Sequence, residues 1–179
     1  LSIFLVVFFA YFSYTSFTGR TTASLPANLE ENQIVSLTDR EYYPSVSEML
    51  GSANESVHII LYSLNYYLDY PNTSVNELVG RLESAAARGV DVKVIVDEAA
   101  TDKPVVELLK EMGINVKFDV KGTTTHAKLI IIDSKLVIIG STNWSFSAVD
   151  KNHEANVAVY SLPLAAQFED YFGRVWQES

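Results

Sequence analysis

From Val57 onward, apolar runs of strand length alternate with stretches whose apolar residues recur at helical spacing, and this alternation constrains the fold more than any other feature. "VHIILYSL" reads as a buried strand. "TSVNELVGRLESAAARGV" reads as a helix, with Val75, Leu78, Val79, Leu82, Ala85 and Ala86 on one stripe, Ser74 as N-cap and Gly89 as the stop. "VKVIVDEA" is a second strand, "KPVVELLKEMG" a second helix closed by Gly113, and "INVKFDV" a third strand. Strand, helix, strand, helix, strand requires crossover connections, which predicts an α/β fold: a mixed, largely parallel sheet with helices on both faces. "REYYPSVSEMLGSA" adds a helix before this series and "EANVAVYS" a strand after it. "PLAAQFEDYFGRVWQ" closes the chain as an amphipathic helix with Leu164, Phe168, Phe172 and Val175 on one face.

The first 17 residues, "LSIFLVVFFAYFSYTSF", are incompatible with the surface of a water-soluble fold, since 13 are apolar or aromatic and no charge precedes Arg20. As a helix this stretch would be about 25 Å long, which fits both a membrane anchor and the apolar region of a signal peptide. Residues 1–19 are therefore expected to be an anchor or signal peptide, 20–33 a linker rich in Thr, Ser, Asn and Glu, and 34–179 one domain. The protein is expected to be membrane-anchored or exported, with its orientation open. Absence of cysteine removes disulfides, thiolate zinc sites and thiol nucleophiles together. The net charge of −9 disfavours holding nucleic acid through the whole surface. Between Lys117 and Lys151, however, five lysines meet three aspartates, so that this window is +2 while the remainder is −11.

That window contains two apolar runs, "HAKLIIID" and "KLVIIG", joined at Asp133 and Ser134 closely enough for a hairpin. Alternation along the first strand sends His126, Lys128, Ile130 and Ile132 to one side and Asp133 to the other. An imidazole and an ammonium side by side at the edge of a core call for an anionic partner, because a charge there is costly alone. Lysine next to histidine repels a metal cation but suits a phosphate, with positive charge from one and a nucleophile or acid from the other. Gly140, Ser141 and Asn143 follow the second strand, where a tight turn aims a hydroxyl, an amide and backbone N–H groups back toward the same point. The combination reads as a site for phosphoryl transfer without a metal.

His126-Ala-Lys128, four residues, Asp133, six residues, Gly140-Ser141-Thr-Asn143 resembles the HKD signature of the phospholipase D superfamily without gap or substitution. "NHEANVAVY", with Glu154, "HIILYSL" and "AAARGVDVKVIVDE" are also similar to that family's framework, so the resemblance runs from about residue 34 to the end. It implies a phospholipase D-like α/β/α sandwich. It further implies that His126 is a nucleophile forming a phosphohistidine and that Lys128 and Asn143 hold the non-bridging oxygens. Ser141 would support the site, and Glu154 would orient an imidazole and favour its charged form. Asp133 is the motif's third letter, but parity gives it an indirect role as a turn anchor. The resemblance implies neither metal nor cofactor. In-line displacement needs an acid opposite the nucleophile, and one motif supplies one imidazole. The second histidine is thus expected from a symmetry mate, giving a homodimer with one site on its two-fold axis, as in the family's small members.

A single motif in a short chain resembles the small endonucleases and the mitochondrial cardiolipin hydrolase of this family rather than its two-motif lipases. Hydrolysis of nucleic acid is the leading expectation and hydrolysis of membrane phospholipid the alternative, since both present the same diester. A non-catalytic phosphate-binding module tethered to a membrane is the third. His58 reads as a core or surface histidine and His153 as a solvated loop residue. Trp144 and Phe146 read as anchors of the motif loop, with base stacking or lipid contact as the alternative. Tyr62, Tyr66, Tyr67 and Tyr70 straddle the end of the first strand, near where ligands bind in open α/β sheets, and read equally as the lining of a substrate groove or as packing.

Overall fold

The computed structural model describes residues 32–179. The apolar segment and all but the last two residues of the expected linker lie outside that range. Apolar strands form β1 (Ile34–Thr38), β2 (Ser56–Leu61), β3 (Asp91–Val96), β4 (Asn115–Phe118), β5 (Lys128–Ile132), β6 (Leu136–Gly140) and β7 (Ala155–Tyr160). The helices are α1 (Tyr42–Gly51), α2 (Ser74–Ala87), α3 (Lys103–Glu111), α4 (Phe146–Asp150) and α5 (Leu162–Glu178). The cap of α2 is Thr73, one residue before the expected Ser74, and its hydroxyl accepts the Asn76 N–H at 3.2 Å. Gly89 and Gly113 follow α2 and α3 at φ +90° and +78°, the left-handed conformation that ends a helix.

All seven strands form one sheet in the order β1-β7-β6-β5-β2-β3-β4. The α/β character and mixed sheet are as expected, but the sheet is not largely parallel. Only β2–β3 and β3–β4 pair parallel, while β2–β5, β5–β6, β6–β7 and β1–β7 are antiparallel. The cause is the connection after β4: residues 119–127 hold no helix, too short a stretch to carry the chain back for a parallel re-entry. The chain instead turns, enters β5 running opposite to β2, and reverses again through Asp133 and Ser134. Their φ angles of +52° and +50° suit a tight hairpin.

Helices cover both faces. Val57, Ile59 and Leu61 of β2 and Ile130 and Ile132 of β5 share the larger core with Leu50 of α1 and Val75, Leu78, Val79 and Leu82 of α2. Ile60, Ile95, Leu129, Ile131 and Val137 point the other way, under Ala165 and Phe172 of α5, flanked by Leu164, Phe168 and Val175. Because β5 is apolar on both sides, it reads as a continuous hydrophobic run rather than an alternating one.

Strand direction decides where function can sit. β1, β2, β3, β4 and β6 end, and β5 and β7 begin, at one rim of the sheet, so the residues after Leu61, Val96, Phe118 and Gly140 and before Lys128 and Ala155 converge there. From β2 the chain builds outward through β3 and β4, then resumes on β2's other side with β5. The order thus reverses between β2 and β5, the kind of switch point that opens a crevice.

Candidate active site

Lys128 opens β5, and its ammonium is driven into the rim by the strand's pairing, Leu61 opposite Lys128 and Ile60 opposite Leu129. Only 8% of Lys128 is exposed. Its Nζ donates to the His126 carbonyl at 2.8 Å and lies 3.3 Å from both imidazole nitrogens. Burial holds the ammonium below the ordinary lysine range, and the negative charge of Glu154 offsets part of that. His126 itself is exposed, so its ring is open to a ligand at the rim.

Asn143 and Ser141 come back to the same rim from the end of β6. The Ser63 N–H donates to Asn143 Oδ1 at 3.3 Å, which leaves the amide's Nδ2 as a donor for a ligand oxygen. Ser141 donates its hydroxyl proton to a Glu154 carboxylate oxygen and accepts the Ala155 N–H at 3.1 Å. The other Glu154 oxygen accepts from Asn152 Nδ2 at 3.1 Å. Among the described residues no imidazole is hydrogen-bonded to Glu154; within one chain this carboxylate fixes Ser141 and acts on Lys128 through its charge.

The turn between these residues is braced from below. Trp144 is fully buried and donates Nε1–H to Tyr42 Oη at 3.1 Å, while burial pushes the Tyr42 phenol up. Asn156 accepts the Thr142 N–H and donates to Thr142 Oγ1 and the Leu37 carbonyl. A Cβ on Gly140 would collide with Asn156 Oδ1 and stand 2.5 Å from the Ala155 carbonyl oxygen, so only glycine fits between β6 and β7 there.

Asp133 lies at the other end of β5, about 17 Å along the strand from Lys128. Its Oδ1 accepts N–H bonds from Asn54, Glu55 and Ser56 at 3.1, 2.8 and 3.1 Å, tying the hairpin to the loop between α1 and β2. His58 is also remote from the rim, stacked on Phe172 and bonded to Glu169 of α5. His153 is exposed and pairs with Asp39, whose carboxyl that hydrogen bond holds below the usual range. Trp144 anchors the motif loop in the core. Phe146 is partly exposed, with the Lys151 ammonium over its ring.

Sequence reasoning missed two residues at this rim. Asp97 and Asp119, nine-tenths buried, follow β3 and β4 directly, and each accepts the Thr125 N–H at 3.0 Å. They fix the chain one residue before His126. The available signal was an aspartate immediately after each apolar run, in "VKVIVD" and "NVKFD".

Residues 46–176 match the model of the cardiolipin synthase, PLD-like domain. The chain belongs to the phospholipase D superfamily. Mitochondrial cardiolipin hydrolase of Chlamydomonas reinhardtii is 33% identical over 132 residues, 72% of this chain and 55% of that protein. Phospholipase D of Rickettsia bellii is 32% identical over 125 residues, covering 69% of this chain and 58% of that one. This superfamily member thus spans about half the length of the curated relatives it matches. The crystal structure of Nuc, a phospholipase D family member from Salmonella typhimurium, aligns with TM-score 0.72 at 26% identity over 83% of this chain and 96% of that one. NucT from Helicobacter pylori, at 22% identity and TM-score 0.65, shares the fold.

Proposed function

We propose that this chain is a metal-independent phosphodiester hydrolase that works through a phosphohistidine on His126, in a site shared by two copies. The observation that carries the reading is the ammonium of Lys128, buried against an exposed imidazole, with a free amide donor of Asn143 on the same rim. An imidazole nitrogen of His126 attacks phosphorus while Lys128 and Asn143 stabilise the charge gathering on the non-bridging oxygens. The leaving oxygen takes a proton from His126 of a second copy, completing the P–N bond as the P–O bond breaks. That second imidazole then takes a proton from water, whose oxygen attacks phosphorus and frees the first. Two buried ammoniums supply the positive charge that a divalent ion otherwise contributes.

Nucleic acid is the preferred substrate, supported by the likeness of a single motif in a short chain to the small endonucleases of the family. Phospholipid is the second reading, favoured by the apolar first 17 residues, which also support attachment to a membrane, and by the cardiolipin hydrolase relatives. Among the described residues no helix is long and apolar enough to cross a membrane.

The test offers the purified chain single-stranded and duplex DNA, RNA, and anionic and zwitterionic phospholipid vesicles, each in excess chelator. The proposal expects diester cleavage under chelation, with nucleic acid consumed fastest. Cleavage only of lipid selects the second reading, and activity that chelator abolishes and Mg²⁺ restores refutes the mechanism.

A further inference from the structure

Tyr62 lies outside the motif, on the segment leaving β2. Its N–H donates to the Ala127 carbonyl at 3.1 Å, which locks it beside the two residues flanking Ala127. Its ring centroid is 4.7 Å from that of His126, with the planes inclined at 51°. The Lys128 Nζ is 5.1 Å from the same centroid. One ring therefore touches the imidazole and the ammonium together.

Ordinary packing does not account for this ring. Tyr66 and Tyr67 pack against the larger core, whereas half-buried Tyr62 belongs to neither apolar cluster. Its hydroxyl has no hydrogen-bond partner among the described residues, so the contact is made by the ring and not by the polar tip. His126 needs such a contact. It is exposed, and Lys128 is the sole side chain within hydrogen-bond distance of its ring among the described residues. A tilted aromatic neighbour narrows the rotamers open to an imidazole, and the face of a phenol attracts an ammonium.

We propose that Tyr62 is a positioning residue for the reaction, its ring orienting the imidazole of His126 toward phosphorus and holding the ammonium of Lys128 beside it. The proposal rests on the phosphodiesterase reading above. The groups around Lys128 act in different directions: burial disfavours its charge, Glu154 before β7 favours it, and the ring face of Tyr62 favours it from the β2 side. The face of the ring favours the charge while its bulk adds to the burial that disfavours it, so the readouts that a purely structural residue would not move are the split between kcat and KM and rescue by a ring without the hydroxyl.

The experiment compares the full chain with its Tyr62→Phe and Tyr62→Leu variants. NMR follows the imidazole C–H signal of His126, assigned by its loss in His126→Ala, and kinetics follow hydrolysis of bis(p-nitrophenyl) phosphate across pH. The Leu variant is expected to lose the ring-current shift of His126 and about tenfold or more in kcat, with KM changed less than about threefold. The Phe variant should restore the shift and bring kcat within about threefold of wild type. If the Leu variant fails to fold, Tyr62→Met, flexible and ringless, replaces it in the same comparison. A ringless variant with wild-type kcat, or a Phe variant as impaired as the Leu one, overturns the proposal. Loss expressed wholly in KM overturns it too. A wild-type chain inactive on every diester instead overturns the reading beneath it, while the NMR arm still reports whether the ring lies against the imidazole.

Discussion

Replacing Asp133 separates fold from chemistry, because the residue is a letter of the motif yet stands at the far end of β5. Its Oδ1 accepts from three consecutive backbone N–H groups, Asn54, Glu55 and Ser56. A hydrogen bond to a charged group contributes about 1.5–3 kcal/mol when shielded. Asp133 is only partly buried and water competes, so about 1 kcal/mol for each bond is appropriate. Asp133→Ala loses all three and places alanine at φ +52°, where an L-residue without a short polar side chain costs a further ~1 kcal/mol. The expected destabilisation is about 4 kcal/mol, or roughly 10 °C in Tm for a domain of this size. Asp133→Asn tolerates the left-handed turn and keeps one acceptor oxygen, so it should lose only about 1–2 kcal/mol, the difference between charged and neutral acceptors. Urea unfolding measures both values, and turnover of bis(p-nitrophenyl) phosphate, at a temperature where each variant is folded, measures the chemistry. The kcat of either variant should stay within about threefold of wild type, because the distance to Lys128 is about five strand residues, or 17 Å. A stable Asp133→Asn variant with kcat as low as that of His126→Ala would refute the assignment of Asp133 to the turn.

Gly140→Ala should destabilise the protein by about 3 kcal/mol or more, since the new methyl meets the Ala155 carbonyl and Asn156 backbone, which cannot swing aside; thermal unfolding checks it. Trp144→Phe should cost about 2–4 kcal/mol in denaturant unfolding, through a cavity and an orphaned Tyr42 hydroxyl. The pH profile follows from Lys128. Its value in the fold is below that of the unfolded chain, so the unfolded state binds more protons between the two values and stability rises with pH there, while the ammonium proposed to hold the phosphate oxygens is lost. The alkaline limb of kcat/KM should thus lie below the ordinary lysine range, and Glu154→Gln, which removes a charge favouring the ammonium, should move it lower still.

Much of this architecture was legible locally. Val75, Leu78, Val79 and Leu82 at helical spacing are the buried face of α2, and Leu164, Phe168, Phe172 and Val175 face the second core as their spacing indicated. Asp133 and Ser134 do form the hairpin turn. What stayed hidden was non-local. β1 buries only Leu37 fully, so its sequence carries no alternation that marks a strand; pairing with β7 makes it one. The direction of β5 depends on the length of a connection rather than on its own residues, so alternation of strands and helices alone implies more parallel pairing than the sheet contains. For the candidate site, the motif brought Lys128, Ser141 and Asn143 into view by spacing. The partnership of Glu154 with Ser141, the bracing of Thr125 by Asp97 and Asp119, and the contact of Tyr62 with His126 arise from strands that meet only in the folded sheet.

One phosphodiester site is proposed to draw a histidine from each of two copies, and subunit mixing tests this most directly. Wild-type and His126→Ala chains are combined in varying ratio at constant total protein, with exchange verified by tagged subunits. If each reaction needs two His126 imidazoles, activity follows the square of the wild-type fraction, and roughly a quarter remains in an equal mixture under random pairing. A linear decline, with about half the activity left at equal mixture, would contradict the account and locate the second acid in the same chain.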